Sequence, residues 1–152
     1  MRPKLQKQSE LKLAGRIIPH SGGFNTRDWL KKSGEVAIMS DCIFCKIIKG
    51  DIPCSKVYED DNVLAFNDIQ PMAPVHVIII PKKHIATLMD IDATNIDITS
   101  NLISAAQKVA RIKNINDRGF RTVINCNAEG GQVVFHLHMH LLGGRKLQDP
   151  LG

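Results

Sequence analysis

Three histidines alternate with apolar residues near the end of this 152-residue chain, at positions 136, 138 and 140. If residues 133–142 form one β-strand, alternate side chains share a face, and His136, His138 and His140 lie roughly 7 Å apart on it. Each imidazole carries a donor and an acceptor, so three on one face could not all be satisfied as core packing. The spacing therefore predicts a chemical site on this strand.

Two kinds of chemistry fit such a row of imidazoles. Neutral imidazoles bind zinc or iron, or one imidazole acts as a nucleophile while its neighbours orient it and handle protons. The preceding loop contains Asn125 and the run Glu129-Gly130-Gly131-Gln132. Glycines allow main-chain N–H groups to approach an anion closely. This loop beside the histidines favours a phosphate ligand over a bare metal centre.

Two of the four cysteines, Cys42 and Cys45, form a Cys-x-x-Cys motif. Four cysteines in a chain without a recognisable export signal do not indicate a disulfide framework. The motif instead suggests metal or redox chemistry. We expect Cys54 and Cys126 to serve only in packing.

Short elements must position these residues, and the apolar pattern predicts where those elements lie. An acidic turn at residues 60–62 is typical of a hairpin, and Pro81 ends a β-branched strand. Leu137, Met139 and Leu141 should face the main helix. Strands, one main helix and then strands indicate an α+β domain with a largely antiparallel sheet. The predicted elements are strands at 57–59, 63–66 and 75–80, a helix over 94–113, and strands at 120–125 and 133–142.

The net charge of +5 is confined to the first quarter of the chain. Residues 1–38 hold eight of the 20 Lys and Arg but three of the 15 Asp and Glu, so the remainder carries twelve of each. This distribution removes the argument for a nucleic-acid partner. The sequence contains neither a long apolar run nor a recognisable secretory signal, so we expect a cytoplasmic protein with no membrane partner.

Residues 1–38 also differ from the rest in pattern, because they show no sustained period of 2 or 3.6 and contain a Gly-Gly pair. A second start-like sequence, Met39-Ser40-Asp41, follows them. We interpret residues 1–38 as an extension that is flexible or not native to the protein, with a transit peptide as the less favoured alternative, and residues 39–152 as the domain.

The run His136-Leu137-His138-Met139-His140-Leu141-Leu142 fits the signature His-φ-His-φ-His-φ-φ of the histidine-triad (HIT) superfamily, where φ is apolar. The chain most resembles the Hint branch, which includes bacterial-type HIT hydrolases, over about residues 40–147. The resemblance implies a HIT-like α+β fold with a five-stranded antiparallel sheet and one main helix, and a homodimer that joins two such sheets. The upstream segments that match are residues 43–48, 65–69, 76–84 and 130–132.

Hint-like proteins are nucleoside phosphoramidate hydrolases that act on purine nucleotides, so the resemblance implies a ligand such as AMP. It implies that His138 attacks the α-phosphorus and carries the nucleotidyl group until water releases AMP. A neutral imidazole with a pKa near about 6.5 is nucleophilic at pH 7. His140 would contact the phosphate and help with protons, and His76 would support the triad. The implied substrate-binding residues are Asn125, Gly131, Gln132 and Val133 at the phosphate, Asp68 at the ribose, and Ile43, Phe44, Ile47, Phe66 and Ile69 around the base.

In many bacterial-type relatives a Cys-x-x-Cys pair and two histidines bind one zinc ion. The matching residues are Cys42, Cys45, His84 and His136. Two thiolates and two imidazoles form the closed tetrahedral set of a structural site, so no cofactor would be required for catalysis. The alternative is that both cysteines are small buried apolar residues.

The sequence departs from the family pattern at Val133, where relatives often carry Ser or Thr, and this leaves the leaving-group preference open. The last residues, 147–152, also lack the tryptophan-containing tail of eukaryotic members. Two alternatives remain: a Fhit-like dinucleoside polyphosphate hydrolase, and a nucleotide-binding interaction module whose hydrolysis is incidental. Three features favour the Hint branch over the Fhit branch: Asp68, the segment Pro81-Lys82-Lys83-His84 and the Gly143-Gly144 pair.

Overall fold

The computed structural model describes residues 41–148, so the interpretation of residues 1–38 as an extension lies outside the described residues. Within this part of the chain, no helix is both long and apolar enough to cross a membrane. The elements in chain order are α1 (Ile43–Lys49), β1 (Lys56–Glu59), β2 (Val63–Asn67), β3 (Val75–Pro81), a 3₁₀ turn (Leu88–Asp90), α2 (Asp97–Ile112), β4 (Phe120–Val123) and β5 (Met139–Gly143).

The five strands form one sheet in the order β1-β2-β3-β5-β4, and every neighbouring pair is antiparallel. The β1–β2 hairpin is closed by Asp60, whose carboxylate accepts hydrogen bonds from the N–H groups of Asn62 and Val63 at 2.9 and 3.0 Å. In the centre of the sheet, β3 pairs with β5 so that Ile78 lies opposite His140. The predicted α+β class with a five-stranded antiparallel sheet is confirmed.

The prediction of one long strand over residues 133–142 is wrong, because the strand begins only at Met139. His136 and His138 therefore precede β5, and His140 alone of the three lies on a strand. The segment before β5 does not pair with β3, because its polar groups form hydrogen bonds with other partners. The Pro81 carbonyl lies 2.9 Å from the His136 ring, and the Leu137 N–H donates to the Ile85 carbonyl at 2.6 Å.

The main helix covers one face of the sheet. Its buried side chains include Leu102 and Val109, and they share a core cluster with Leu137, Met139 and Leu141. The three apolar residues that alternate with the histidines thus face the helix, as their spacing predicted. The helix itself begins at Asp97 and ends at Ile112, within the predicted range.

The opposite face of the sheet carries a smaller core under α1. Phe44 of α1 packs there with Phe66, Ile78 and other buried residues of β2 and β3. Because Met139 and Leu141 face α2, the pleat of β5 turns His140 toward the α1 side. The sheet therefore places His140 on the face covered by the short helix α1.

Candidate active site and metal cluster

Four predicted metal ligands come together where α1 meets the segment before β5. Cys42 caps the start of α1, Cys45 lies in its first turn, and His84 follows β3. The His136 Nδ1 lies 3.5 Å from the Cys42 Sγ, 3.6 Å from the Cys45 Sγ and 3.1 Å from the His84 Nδ1. The Cys45 Sγ lies 3.3 Å from the His84 Nδ1. Four ligand atoms from three parts of the chain thus surround one point.

These distances fit a tetrahedral metal ion. With Zn–N distances of about 2.0–2.1 Å and Zn–S of about 2.3 Å, neighbouring ligand atoms lie about 3.3–3.8 Å apart. The His136 Nε2 is 2.9 Å from the Pro81 carbonyl oxygen, which only accepts, so Nε2 carries the proton and Nδ1 offers a lone pair. Burial raises the pKa of the Cys45 thiol to about 11 and lowers that of fully buried His136 to about 4. A metal ion would take the place of the thiol proton.

His138 is held in one orientation by its own backbone neighbour. Its Nδ1 lies 2.7 Å from the His136 carbonyl oxygen, so Nδ1–H donates and the lone pair of the neutral ring is on Nε2. Phe44 packs edge-to-face against both rings, with centroids 5.8 Å from His136 and 5.4 Å from His138. The His138 side chain is only 6% exposed. This geometry prepares an imidazole nitrogen for nucleophilic attack.

His140 forms a pair with His76 of β3. The His76 Nε2 lies 2.9 Å from the His140 Nδ1, and the Met72 N–H donates to the His76 Nδ1 at 3.2 Å. The Asp68 carboxylate is 3.4 Å from the His76 Nε2. Burial, and then the neighbouring His138 and His76, lower the pKa of His140 to about 4, so this ring is neutral at pH 7. Burial also lowers the pKa of His76, while Asp68 raises it.

The glycine-containing loop before the histidines is a compact turn held by its own main chain. The Gly131 N–H donates to the Ala128 carbonyl at 2.9 Å, and the Gln132 N–H donates to the Asn127 carbonyl at 3.0 Å. A Cβ added at Gly130 would lie 2.4 Å from the Cys126 carbonyl oxygen, so only glycine fits this close approach. The sequence predicted main-chain donors for an anion here, and two of those N–H groups close the turn instead.

Gln132 is 5% exposed, and its side chain holds the same loop in place. Its amide accepts from the Asn127 N–H at 2.9 Å and donates to the carbonyls of Ala86 and Val134 at 2.7 and 3.1 Å. The Asn125 amide lies 3.5 Å from the Gly131 carbonyl. Three main-chain partners thus fix Gln132 between the loop and the segment after β3.

The predicted base-binding residues divide into two groups. Phe44 and Phe66 are buried with ring centroids 5.8 Å apart, and Ile47 packs beside their cluster. Ile43 is half exposed and Ile69 is 94% exposed. Val133, predicted near the phosphate, is 87% exposed. The structure therefore provides a packed apolar floor under the histidines and leaves three apolar side chains open to solvent.

Some groups that organise the site were not found from the sequence. Three main-chain groups each determine which nitrogen of one imidazole carries the proton. They are the carbonyls of Pro81 and His136 and the N–H of Met72. Main-chain groups carry no signal in residue identity, because almost every residue has them. Only the fold shows which of them faces a ring.

An antiparallel sheet with a hydrogen-bonded imidazole pair on two adjacent inner strands, and a glycine turn before the histidine segment, is the architecture of a histidine-triad protein. A family model described as "HIT domain" matches residues 49–147, and the chain belongs to this family. Its sequence is 47% identical over 111 residues to the purine nucleoside phosphoramidase of Escherichia coli (strain K12). The matched region spans 73% of this chain and 93% of that relative.

Two further comparisons agree with this membership. The chain is 46% identical over 114 residues to the "14 kDa zinc-binding protein" of Brassica juncea, spanning 74% of this chain and 100% of that relative. The crystal structure of a HIT family hydrolase from Legionella pneumophila Philadelphia 1 aligns with a TM-score of 0.72 at 48% identity. That alignment covers 74% of this chain and 100% of the other.

Proposed function

We propose that this protein hydrolyses purine nucleoside phosphoramidates and releases AMP through a nucleotidyl-histidine intermediate on His138. The observation that carries the proposal is the hydrogen bond from the His138 Nδ1–H to the His136 carbonyl at 2.7 Å, which leaves the Nε2 lone pair for the phosphorus. The named phosphoramidase relative from Escherichia coli, at 47% identity, supports the substrate class.

The reaction has two displacement steps. In the first, the Nε2 lone pair of His138 forms a bond to the α-phosphorus while the P–N bond to the leaving group breaks, and the departing amine takes a proton from water. In the second, a water oxygen bonds to phosphorus, the P–Nε2 bond breaks, and the water proton returns to solvent. His140 contacts the phosphoryl oxygens, and His138 ends as the neutral imidazole with which it began.

In this proposal the remaining predicted residues bind the substrate. Asp68 binds the ribose hydroxyls, and Asn125 with the turn at Gly131 lies beside the phosphate. Gln132 maintains that turn through its three main-chain partners. Val133 follows the turn with an apolar side chain toward the leaving group. The base contacts an apolar surface formed by Ile43, Phe44, Ile47, Phe66 and Ile69.

The test is release of AMP from adenosine 5′-phosphoramidate by the purified protein, beside His138→Asn and with a chelator present. We expect turnover that disappears in the variant and survives brief chelation. Activity in His138→Asn would show that the nucleophile is another residue. Faster cleavage of a diadenosine polyphosphate would favour the Fhit-like alternative. Tight AMP binding without turnover would favour an interaction module.

We propose further that Cys42, Cys45, His84 and His136 bind one structural zinc ion. When bound, zinc would link α1 to the segment after β3 and to the segment before β5. His138 would still carry out the reaction at phosphorus. The interatomic distances of 3.1–3.6 Å and the lone pair on the His136 Nδ1 support this proposal. The Brassica juncea relative named as zinc-binding supports the metal.

Zinc content measured by mass spectrometry tests this site. We expect about one equivalent per chain in the wild type and a large loss in Cys45→Ser, because removing one of four ligands opens a closed site. Cys54→Ser is the matched control, since Cys54 packs at the edge of the smaller core and is no ligand. Equal zinc content in both variants would contradict the four-ligand site.

We also propose a homodimer in which two sheets join along β4. Of the two edge strands, β1 carries a register shift between Lys56 and Tyr58, and a bulge and a lysine are features that block edge pairing. Sedimentation should give twice the 16.9 kDa mass of one chain. Thr122→Lys on exposed β4 should weaken the dimer, and Ala93→Lys in an exposed turn should not. A monomeric wild type would rule out this assembly.

A further inference from the structure

The Cys-x-x-Cys motif places two thiols side by side at the start of α1. Cys42 is the N-cap residue, with φ −67° and ψ 120°, and Cys45 lies in the first turn of the helix. Both are free thiols, and their sulfurs belong to a group of ligand atoms that all lie within 4.8 Å of one another. A disulfide joins sulfurs about 2.05 Å apart. Because Cys42 precedes the first helical residue, rotation of its side chain can bring the two sulfurs into bonding distance.

The two thiols differ in their access to solvent. The side chain of Cys42 is partly exposed, whereas that of Cys45 is buried and 4% exposed. A pair of this kind has one sulfur that an oxidant in solution reaches and a second sulfur that resolves the product. Cys54 and Cys126 belong to no such group within residues 41–148. The motif is therefore the place in the described chain where a disulfide can form without moving the sheet.

The same cluster keeps both sulfurs in their reactive form. The Cys42 Sγ lies 3.5 Å from the His136 Nδ1, and the Cys45 Sγ lies 3.3 Å from the His84 Nδ1. When these four residues bind a metal ion, both cysteines are thiolates. The thiolate is the form of cysteine that attacks a peroxide or a second sulfur. The arrangement that suits metal binding thus also suits oxidation.

We propose that Cys42 and Cys45 form a modification site at which hydrogen peroxide produces a reversible disulfide and the metal is released. This inference rests on the proposed zinc site. First, the Cys42 Sγ bonds to one peroxide oxygen, the O–O bond breaks, and the departing hydroxide takes a proton from solvent. Then the Cys45 Sγ bonds to the Cys42 Sγ, the S–O bond breaks, and the second hydroxide is protonated in turn. The two thiolates lose two electrons, and the peroxide is reduced to two water molecules.

The disulfide would change the support of the neighbouring site. Only the imidazoles of His84 and His136 would remain as ligands, and two ligands do not complete the tetrahedral set of a structural zinc site. Phe44, which lies between the two cysteines in sequence, packs edge-to-face against His138 with ring centroids 5.4 Å apart. Oxidation would therefore release α1 from its metal link directly beside the proposed nucleophile.

Peroxide treatment of the zinc-loaded full chain tests the proposal, with released zinc and peptide masses measured on the same samples. Trypsin leaves the pair in one peptide, residues 33–46, and Cys54 in another, residues 50–56. We expect the peptide of residues 33–46 to lose the mass of two hydrogen atoms as zinc is released. A thiol reductant with added zinc should restore both. Zinc release with a Cys42–Cys54 bond, or with neither cysteine of the pair oxidised, would overturn the proposal.

Two substitutions separate disulfide formation from general damage by peroxide. Cys42→His replaces one thiol by another metal ligand, so the cluster keeps four ligands and cannot form the disulfide. At a peroxide concentration that removes most zinc from the wild type, we expect Cys42→His to keep most of its zinc. Cys54→Ser is the matched control and should lose zinc at the wild-type rate. Equal rates of loss from the wild type and Cys42→His would overturn the proposal.

These measurements also separate the disulfide from the zinc site on which it rests. A wild type that binds no zinc would refute the zinc site, and the peptide masses would still show whether the disulfide forms. A wild type that keeps both zinc and two free thiols, at peroxide concentrations that oxidise free cysteine, would overturn the modification site and support the zinc site. Peptide mapping of the wild type gives this answer without any variant.

Discussion

The buried side chain of Gln132 leads to a prediction that separates holding the loop from contacting substrate. Gln132→Glu keeps the shape and the acceptor of this side chain but removes both N–H donors. In the wild type these donors reach the carbonyls of Ala86 and Val134 at 2.7 and 3.1 Å. Each lost hydrogen bond contributes about 1 kcal/mol. Placing a carboxylate against two carbonyl oxygens at a buried side-chain position adds a penalty of about 1–3 kcal/mol. We expect the free energy of unfolding to fall by about 3–5 kcal/mol in total at pH 7.

The assay is urea unfolding at fixed protein and zinc concentrations. Gln107→Glu is the matched control, because it makes the same chemical change at an exposed position of α2 and should alter stability by less than about 0.5 kcal/mol. AMP release should also fall in Gln132→Glu, because the loop that carries Asn125 and Gly131 loses its support.

The sign of the pH dependence adds a second check. Burial beside two carbonyls raises the pKa of the introduced carboxyl above its unfolded value of about 4.3, so the folded state binds more protons between those two values. The deficit of Gln132→Glu relative to wild type should therefore shrink as pH falls from 8 to 5. A deficit below about 1 kcal/mol, or one that does not change with pH, would refute the assignment of this side chain to the loop.

Three other perturbations follow from described contacts. Gly130→Ala should cost about 3 kcal/mol of unfolding free energy, because its Cβ would lie 2.4 Å from the Cys126 carbonyl oxygen, whereas Gly50→Ala, with open space at φ 85°, should cost about 1 kcal/mol. The pKa of His140 is lowered to about 4, below its unfolded value of about 6.5. The contribution of this group to the free energy of unfolding is therefore complete above about pH 6.5 and declines as pH falls. That contribution should fall by about 2 kcal/mol between pH 7 and pH 5, and His140→Asn should flatten this part of the stability profile. Leu102→Ala in the main core should cost about 3 kcal/mol in the same measurement, and a loss below about 1 kcal/mol would contradict its burial.

Local patterns were sufficient to predict most of the fold. The acidic turn at residues 60–62, the β-branched strand before Pro81 and the apolar stripe of α2 each depend on neighbours in sequence, and each element appears near its predicted position. The alternation at residues 137–141 also predicted which side chains face the helix. These signals succeed because they record which side of an element is buried.

The interruption before β5 could not be predicted in the same way. An extended segment has the same alternation whether or not it pairs with a neighbouring strand, and the pairing here depends on Pro81 and Ile85, more than fifty residues away in sequence. The family resemblance was needed to connect Cys42 and Cys45 with two distant histidines. The tautomers of the imidazoles required the coordinates, because main-chain groups fix them.

His136 serves the two halves of this site through different parts of the same residue. Its ring faces the cysteines and His84, while its carbonyl accepts the hydrogen bond from His138, the proposed nucleophile. Any amino acid at this position would supply that carbonyl, so only metal binding requires a side chain with a ligand atom. His136→Cys should therefore retain both zinc and AMP release, and His136→Ala should lose zinc first. Measuring zinc and turnover together on these two variants would show whether another ligand residue can replace the first histidine of the row without loss of either property.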